Sequence, residues 1–332
     1  MYFSRHIESV VVRIASRKPV VVLTGARQVG KSTMLKEVFQ NINYVTLNRP
    51  LVRESAKNSP SIFFEENKPP VIVDEIQKAT ELFDYTKLVA CIHKGFFPEL
   101  YEVESDLYYW ADFHSSYFQT YIEKDIKDVL NIRDETAFIK FVKATASLTG
   151  EMLNFTKLSE ICGKDVKTVK SWMSALESSG LVYLLEPYYN NFNKRMTKTP
   201  KLYFLDTGLA CWLLGWNTPK QLTSGAMWGD IFESFVFCEI LKSYYNDGIA
   251  RPPLYYYRDK DKNEIDIIIE DGGVLYPVVI KTTSDPTISM ANSFRHLDKI
   301  PGKIPGSGAV ICLANKRLPL NEKVWILPAG SI

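Results

Sequence analysis

Eight consecutive residues, Gly25-Ala26-Arg27-Gln28-Val29-Gly30-Lys31-Ser32, fit the pattern G-x-x-x-x-G-K-[ST], and Thr33 follows them. Glycine at both ends permits a tight loop whose N–H groups cradle phosphate oxygens, and the positive end of a following helix dipole adds to the attraction. Lys31 is placed to reach the β and γ phosphates of a nucleotide, and the Ser32 hydroxyl to ligate Mg²⁺. Gly25, Ala26, Arg27, Gln28, Val29, Gly30, Lys31, Ser32 and Thr33 are therefore the candidate nucleotide-binding set. A second string, "KPPVIVDEIQ", is a proline-bounded run of β-formers ending in Asp74-Glu75. In that order Asp74 would hold Mg²⁺ and Glu75 would polarise an attacking water, with Lys31 and Glu75 as the catalytic pair. The chemistry implied is the binding of Mg-ATP and the hydrolysis of its γ-phosphate.

A different constellation lies near the C-terminus in "NEIDIIIEDGGVLYPVVIKTT". Asp266 on one strand and Lys281 on the next, with Glu233 on a preceding helix, match the acid and lysine positions of a metal-dependent phosphodiesterase site. Val279 stands two residues before Lys281 and so on the same strand face, where such a site needs an acid. A valine cannot ligate Mg²⁺, so these three residues read as the remnant of a nuclease site. Glu264 shares a strand face with Asp266 and is either a substitute ligand or a charge flanking a buried strand.

A third group is cationic. Lys167 and Lys170 lie on one predicted helix, with Lys164 just before it, and Lys194, Arg195 and Lys198 lie in a turn after it. Such cations suit phosphate contacts to DNA, which position a protein without reading sequence, and equally suit a solvated surface.

The elements that must carry these groups follow from periodicity. Val20 to Leu23 reads as a strand feeding the phosphate loop, "YVTLNRP" as another, Val71 to Val73 as a third, and Phe83 to Gly95 as a helix bridging to the next unit. A helix around Leu158 to Cys162 turns at Gly163 into a second helix, Val166 to Ser178, with Val166, Val169, Trp172, Met173 and Leu176 on one face. Strands Leu181 to Leu185 and Lys201 to Leu205 follow, an order with winged-helix character. Tyr117, Phe118 and Tyr121 recur at near-helical spacing and read as core. After Gly225 the order helix, three strands, a helical segment near Ser289 to Leu297 and a strand is that of a restriction-endonuclease-like core. The fold class expected is α/β, a shortened AAA+-like P-loop NTPase unit (1–100), then a helical linker and winged helix (101–224), then the endonuclease-like core (225–332).

Composition sets the outer bounds. A chain of 332 residues that is 46% hydrophobic can bury the cores of two or three domains. Forty basic against 38 acidic residues leave no global field for nucleic acid, so any such role rests on local patches. No apolar run nears the roughly 20 residues that span a bilayer, and "MYFSRHIESVVVRIASRK" interleaves charge, which argues against a leader or a membrane anchor. Cys91, Cys162, Cys211, Cys238 and Cys312 are scattered without a CxxC pair, the usage of a reduced cytoplasmic protein without structural zinc.

The strings "TGARQVGKST", "VIVDEIQ", "GFFPELYE", "TYIEKDIKDVL", "TGEMLNFTKLSE", "KTPKLYFLDTGLACWLLG", "FESFVFCEI", "YYYRDKDKNEIDIII" and "YPVVIKTT" together resemble a prokaryotic AAA+-like ATP-binding family. In that family a P-loop domain precedes a winged helix and an endonuclease-like domain of unknown function. The resemblance implies ATP and Mg²⁺ as cofactors, with DNA and further copies of the chain as candidate partners. The chain departs from the family in three places. Phe83 to Gly95 bridges directly where the family carries a sensor strand and lid; Lys124 and Lys127 stand where the family tends to place arginines, which pair bidentately with phosphate; and Val279 replaces an acid. Three readings follow: an Mg-ATP-binding P-loop protein, ATPase by descent; an ATP-regulated, metal-dependent DNA nuclease; and a non-catalytic nucleotide-binding interaction protein.

Overall fold

The computed structural model describes residues 7–17, 20–23, 30–79, 81–102, 107–120, 132, 134–189, 199–261 and 263–332. Gly25, Ala26, Arg27, Gln28 and Val29 of the phosphate loop, Tyr121, Lys124 and Lys127, and the turn cations Lys194, Arg195 and Lys198 lie outside the described residues.

Around the nucleotide motif the sheet is small. Strand β1 (Asn43–Thr46) pairs in parallel with β2 (Val71–Asp74), from Asn43 opposite Val71 to Thr46 opposite Asp74. Parallel neighbours need a crossover, and two short helices supply it, Pro50–Asn58 and Pro60–Glu66, each opening on a proline whose fixed φ suits a first helical position. Leu47, Ala56, Phe63, Ala79 and Leu82 close a local core beneath them. Val20 to Leu23, expected as a strand, joins no ladder among the described residues, and Val20 and Val22 are exposed at 43% and 53%. The physical reason is that β-branched residues supply propensity only, whereas a strand exists through its hydrogen-bonded neighbour. Among the described residues this sheet has only β1 and β2.

Helix Glu81–Lys94 carries the chain out of this unit and docks on the rest. Thr207 Oγ1 donates to the Ile92 carbonyl at 2.6 Å, and the half-buried Asp206 accepts the Phe96 N–H at 2.6 Å through one oxygen and the Leu209 N–H at 2.6 Å through the other. The contact is so close that a Cβ on Gly208 would lie 2.3 Å from the Lys94 carbonyl oxygen. From Ile92 onward one apolar core runs through to Ala329.

Within it, helix Phe155–Cys162 is capped by Asn154 and stopped by Gly163 in the left-handed region (φ 66°), and Asp165 caps helix Val166–Ser178. Val169, Trp172, Met173 and Leu176 are buried, while Val166, in the first turn, is 37% exposed. Phe118 is buried and Tyr117 packs against the same core. Strands β3 (Val182–Leu185) and β4 (Lys201–Phe204) form an antiparallel pair.

Helix Trp228–Asn246 then lies against a seven-stranded mixed sheet. Strands β5 (Leu254–Arg258), β6 (Glu264–Asp271) and β7 (Val274–Lys281) run antiparallel in sequence. The 3₁₀ helix Ile288–Lys299 crosses over. Short β8 (Ile304–Pro305) pairs with β7, and β9 (Gly308–Cys312) lies parallel to β7. Beyond β9 lies β11 (Val324–Pro328), parallel to it, and then β10 (Leu318–Pro319), antiparallel to β11, at the edge opposite β5.

Candidate functional site

At the nucleotide motif, Gly30 takes φ 72°, a left-handed conformation that glycine adopts without penalty, and helix Lys31–Val38 starts directly after it. Met34 N–H bonds back to the Gly30 carbonyl at 3.0 Å and closes the first turn of the helix, the end at which a helix offers N–H groups to an anion. Ser32 Oγ donates to Asp74 Oδ1 at 2.9 Å, so the start of this helix meets the end of β2. Tyr44, on the neighbouring β1, donates to Asp74 Oδ2 at 2.5 Å. Burial first, then the bond to Asp74, pushes the Tyr44 hydroxyl up to about 12, so it stays a donor. Lys36 Nζ lies 3.7 Å above the Tyr44 ring, a cation–π contact that fixes the phenol from its other side. Glu75 adopts φ 60°, the only non-glycine residue with positive φ among those described. That conformation costs roughly 1–2 kcal/mol for an L residue and recurs where function fixes the backbone. Ser32 and Asp74 are thus brought together, next in the chain to Lys31 and Glu75, while Thr33 is exposed. A hydroxyl and a carboxylate oxygen at this separation fit the hard-oxygen set that Mg²⁺ takes.

The second site is an open pocket of about 770 Å³ at the splayed ends of β6 and β7. The β6–β7 ladder ends at Ile267 opposite Val278, and beyond it the Asp266 carboxylate, in place of a backbone carbonyl, takes the Ile280 N–H at 2.7 Å. Lys281 Nζ stands 3.6 Å from the same oxygen. Glu233, from helix Trp228–Asn246, points into this pocket, so the three expected remnant residues do converge. Val279 lines it too, but packs at 2% exposure with Val310 and Ile326 and offers no ligand atom.

Sequence reasoning missed a further residue that lines the pocket, Lys201, which opens β4 from outside the C-terminal sheet. Its Nζ lies 2.7 Å from Glu233 Oε1 and 2.7 Å from Glu264 Oε1. Tyr203, two residues on and so on the same face, donates to Glu233 Oε1 at 2.6 Å, and Arg258 Nη1 lies 3.2 Å from Glu264 Oε2. Burial works to lower the Lys201 pKa, but the charges of Glu233, Asp266 and Glu264 outweigh it and hold the ammonium protonated well above the ordinary lysine range. Glu233 is pushed up to about 7 by burial, opposed by Lys201 and reinforced by Asp266. The available signal was a charge heading an apolar strand, in "KLYF". Tyr44 was likewise missed.

Of the candidate DNA contacts, Lys167 and Lys170 are exposed on helix Val166–Ser178, with Lys170 Nζ 5.4 Å from the Phe155 ring, and Lys164 pairs with Asp134 at 2.6 Å. No helix among the described residues is long and apolar enough to cross a membrane.

Comparison with known proteins agrees with the first site. Residues 17–95 match a family model described as an AAA domain, residues 85–220 a domain of unknown function (DUF8612) and residues 228–332 another (DUF4143). An uncharacterized protein of Mycobacterium tuberculosis and one of Mycobacterium bovis are each 24% identical over 372 aligned positions, covering 96% of this chain and 82% of theirs. The alignment is longer than the chain itself, so both relatives carry inserted residues within the aligned span. No solved structure matches. The chain is therefore similar to ATP-binding, ATPase-like AAA proteins over residues 17–95, the segment that holds Lys31, Ser32, Asp74 and Glu75.

Proposed function

We propose that this chain is an Mg-ATP-binding P-loop protein, ATPase by descent, whose nucleotide state is read by the winged-helix and endonuclease-like units that follow, with boundaries near residues 100 and 224. The observation that carries the reading is the 2.9 Å bond between Ser32 Oγ and Asp74 Oδ1. It joins the end of the phosphate-loop motif to the end of the acidic strand, as a shared Mg²⁺ requires. Bound Mg²⁺ would neutralise charge on the β and γ phosphates. The chain's own residues do the rest: the first-turn N–H groups and Lys31 hold phosphate oxygens, Ser32 and Asp74 hold the ion, and Glu75 orients water.

Titration of ATP with and without Mg²⁺ tests this. Mg²⁺ should tighten binding to the wild type and have no effect on Asp74→Ala. A wild type that binds no ATP would refute the assignment.

A second reading, nucleotide binding without turnover, is favoured by one observation. After β2 the described chain passes through one 3₁₀ turn, Ile76–Lys78, into helix Glu81–Lys94, with no strand to carry a polar sensor beside the γ-phosphate. Steady-state phosphate release, measured with and without DNA, separates the two readings. DNA contact is proposed for Lys167 and Lys170, together with Lys194, Arg195 and Lys198. Nuclease action is the weaker alternative, because Val279 supplies no ligand and Lys201 engages the remaining acids.

A further inference from the structure

Helix Pro50–Asn58 and the residue before it carry a row of cations. Arg49, Arg53 and Lys57 recur every four residues and so share one flank, beside the flank on which Val52 and Ala56 pack into the local core. The row continues past the end of the helix. Asn315 Nδ2 donates to the Lys57 carbonyl, which brings the segment after β9 against the helix C-terminus, and Lys316 and Arg317 follow, both exposed. The same two units meet again where Ser61 Oγ and Ser284 Oγ stand 3.3 Å apart, buried. The Arg317 guanidinium lies 4.6 Å from the Trp325 ring, and Lys323, two residues before Trp325, falls on the same face of the β10–β11 pair.

Elsewhere the chain pairs its cations, as Lys242 does with Glu239 and Lys303 with Glu270. None of these six forms an ion pair among the described residues. Residues 49–57 and 315–325 hold only two acids, Glu54 and Glu322, so the local excess of positive charge exceeds the +2 of the whole chain. An exposed field of one sign draws a polyanion. The four-residue repeat, a step of about 6 Å, suits a phosphodiester backbone, which carries a charge about every 3.4 Å along each strand. A helix that lies on a lipid surface buries its apolar face there. Here Val52 and Ala56 already pack within the protein, which leaves Leu51 as the helix's one large apolar side chain in solvent. Arg317 covers a face of the half-buried Trp325, so the ring is not offered to unpaired bases, and duplex is favoured over single strand.

We infer that this row is an interaction surface for the backbone of duplex DNA, engaged without regard to base sequence and continuous from helix Pro50–Asn58 to the β10–β11 edge. The surface goes beyond the nucleotide reading and shares no residue with the phosphate-loop motif or with the lysines of helix Val166–Ser178.

The test is fluorescence anisotropy of a labelled duplex of random sequence with the full chain, without nucleotide, over a range of KCl concentrations. The wild type should bind, with an affinity that falls steeply with salt. Arg49→Gln with Lys57→Gln, and Lys316→Gln with Lys323→Gln, alter exposed side chains, and each pair should lower the log–log salt slope by about 2, the four together by about 4. Arg49→Lys with Lys57→Arg keeps the charges and should bind as the wild type does. The inference is overturned if the wild type binds no duplex, if the fourfold variant keeps the wild-type slope, or if only one pair lowers it, since the surface would then not cross between the units. Binding lost on charge reversal at Lys167 and Lys170 but unchanged in the fourfold variant would overturn it and leave the other DNA contacts standing. Wild-type binding to phosphatidylserine vesicles and not to the duplex would overturn it in favour of a lipid surface.

Discussion

Replacing Lys201 with methionine keeps the stem and deletes the ammonium. Two short charged contacts vanish, to Glu233 and Glu264, each 2.7 Å long in the folded protein. Hydrogen bonds to charged groups contribute about 1.5–3 kcal/mol apiece, and breaking a buried ion pair from one side typically costs about 3–5 kcal/mol. Lys201→Met should therefore lose about 3–5 kcal/mol near pH 8. The loss should also depend on pH in a definite direction. Burial raises the Glu233 pKa from 4.5 to about 7 even with Lys201 present, and removing Lys201 raises it further. A carboxyl whose folded pKa lies above its unfolded one stabilises the fold most below the unfolded value. That contribution disappears as pH rises through the folded value. The penalty of Lys201→Met should accordingly shrink on acidification from about pH 8 to about pH 5, where Glu233 protonates and no longer needs a partner. Urea unfolding followed by tryptophan fluorescence at the two pH values measures this. A variant as stable as the wild type near pH 8, or a penalty independent of pH, would refute the account of this pocket.

Three other outcomes follow from the contacts described. Tyr44→Phe removes one of the two hydroxyl donors to Asp74 and should cost about 0.5–1.5 kcal/mol in stability, with weaker Mg²⁺-dependent nucleotide affinity; equal Mg²⁺ dependence in a calorimetric titration would argue against the arrangement. Gly208→Ala places a carbon against the Lys94 carbonyl, where backbone must move, and should destabilise by about 1–3 kcal/mol or more; an unchanged thermal unfolding curve would mean that helix Glu81–Lys94 does not dock there. Charge reversal at both Lys167 and Lys170 should weaken duplex DNA binding and lower its salt slope by about 2; an unaltered slope would remove these lysines from any DNA interface.

What the sequence revealed depended on how local each determinant is. The bounds of helix Val166–Ser178 were legible because its apolar face recurs locally at helical spacing, although Val166 itself is exposed. Asp266 and Lys281 could be expected at one place because strand alternation fixes faces, and with Glu233, from a helix, they line one pocket. Lys201 was not, since only tertiary packing places the head of β4 over a sheet to which β4 does not belong. Val20 to Leu23 failed in the opposite sense, having ideal strand residues and no ladder partner among the described residues. The strands Leu318–Pro319 and Val324–Pro328 escaped notice because they are short and each carries a proline, which sequence reasoning takes as a break. Tyr44 was hidden because its role lies in an adjacent strand's carboxylate.

The most direct test of the central claim is Mg-ATP affinity of the wild type against Lys31→Ala. Deleting a charged donor to phosphate should weaken binding by about 10- to 100-fold, the equivalent of about 1.5–3 kcal/mol. Equal affinity of the two proteins would contradict the assignment of Lys31, and with it the reading of this chain as a P-loop nucleotide-binding protein.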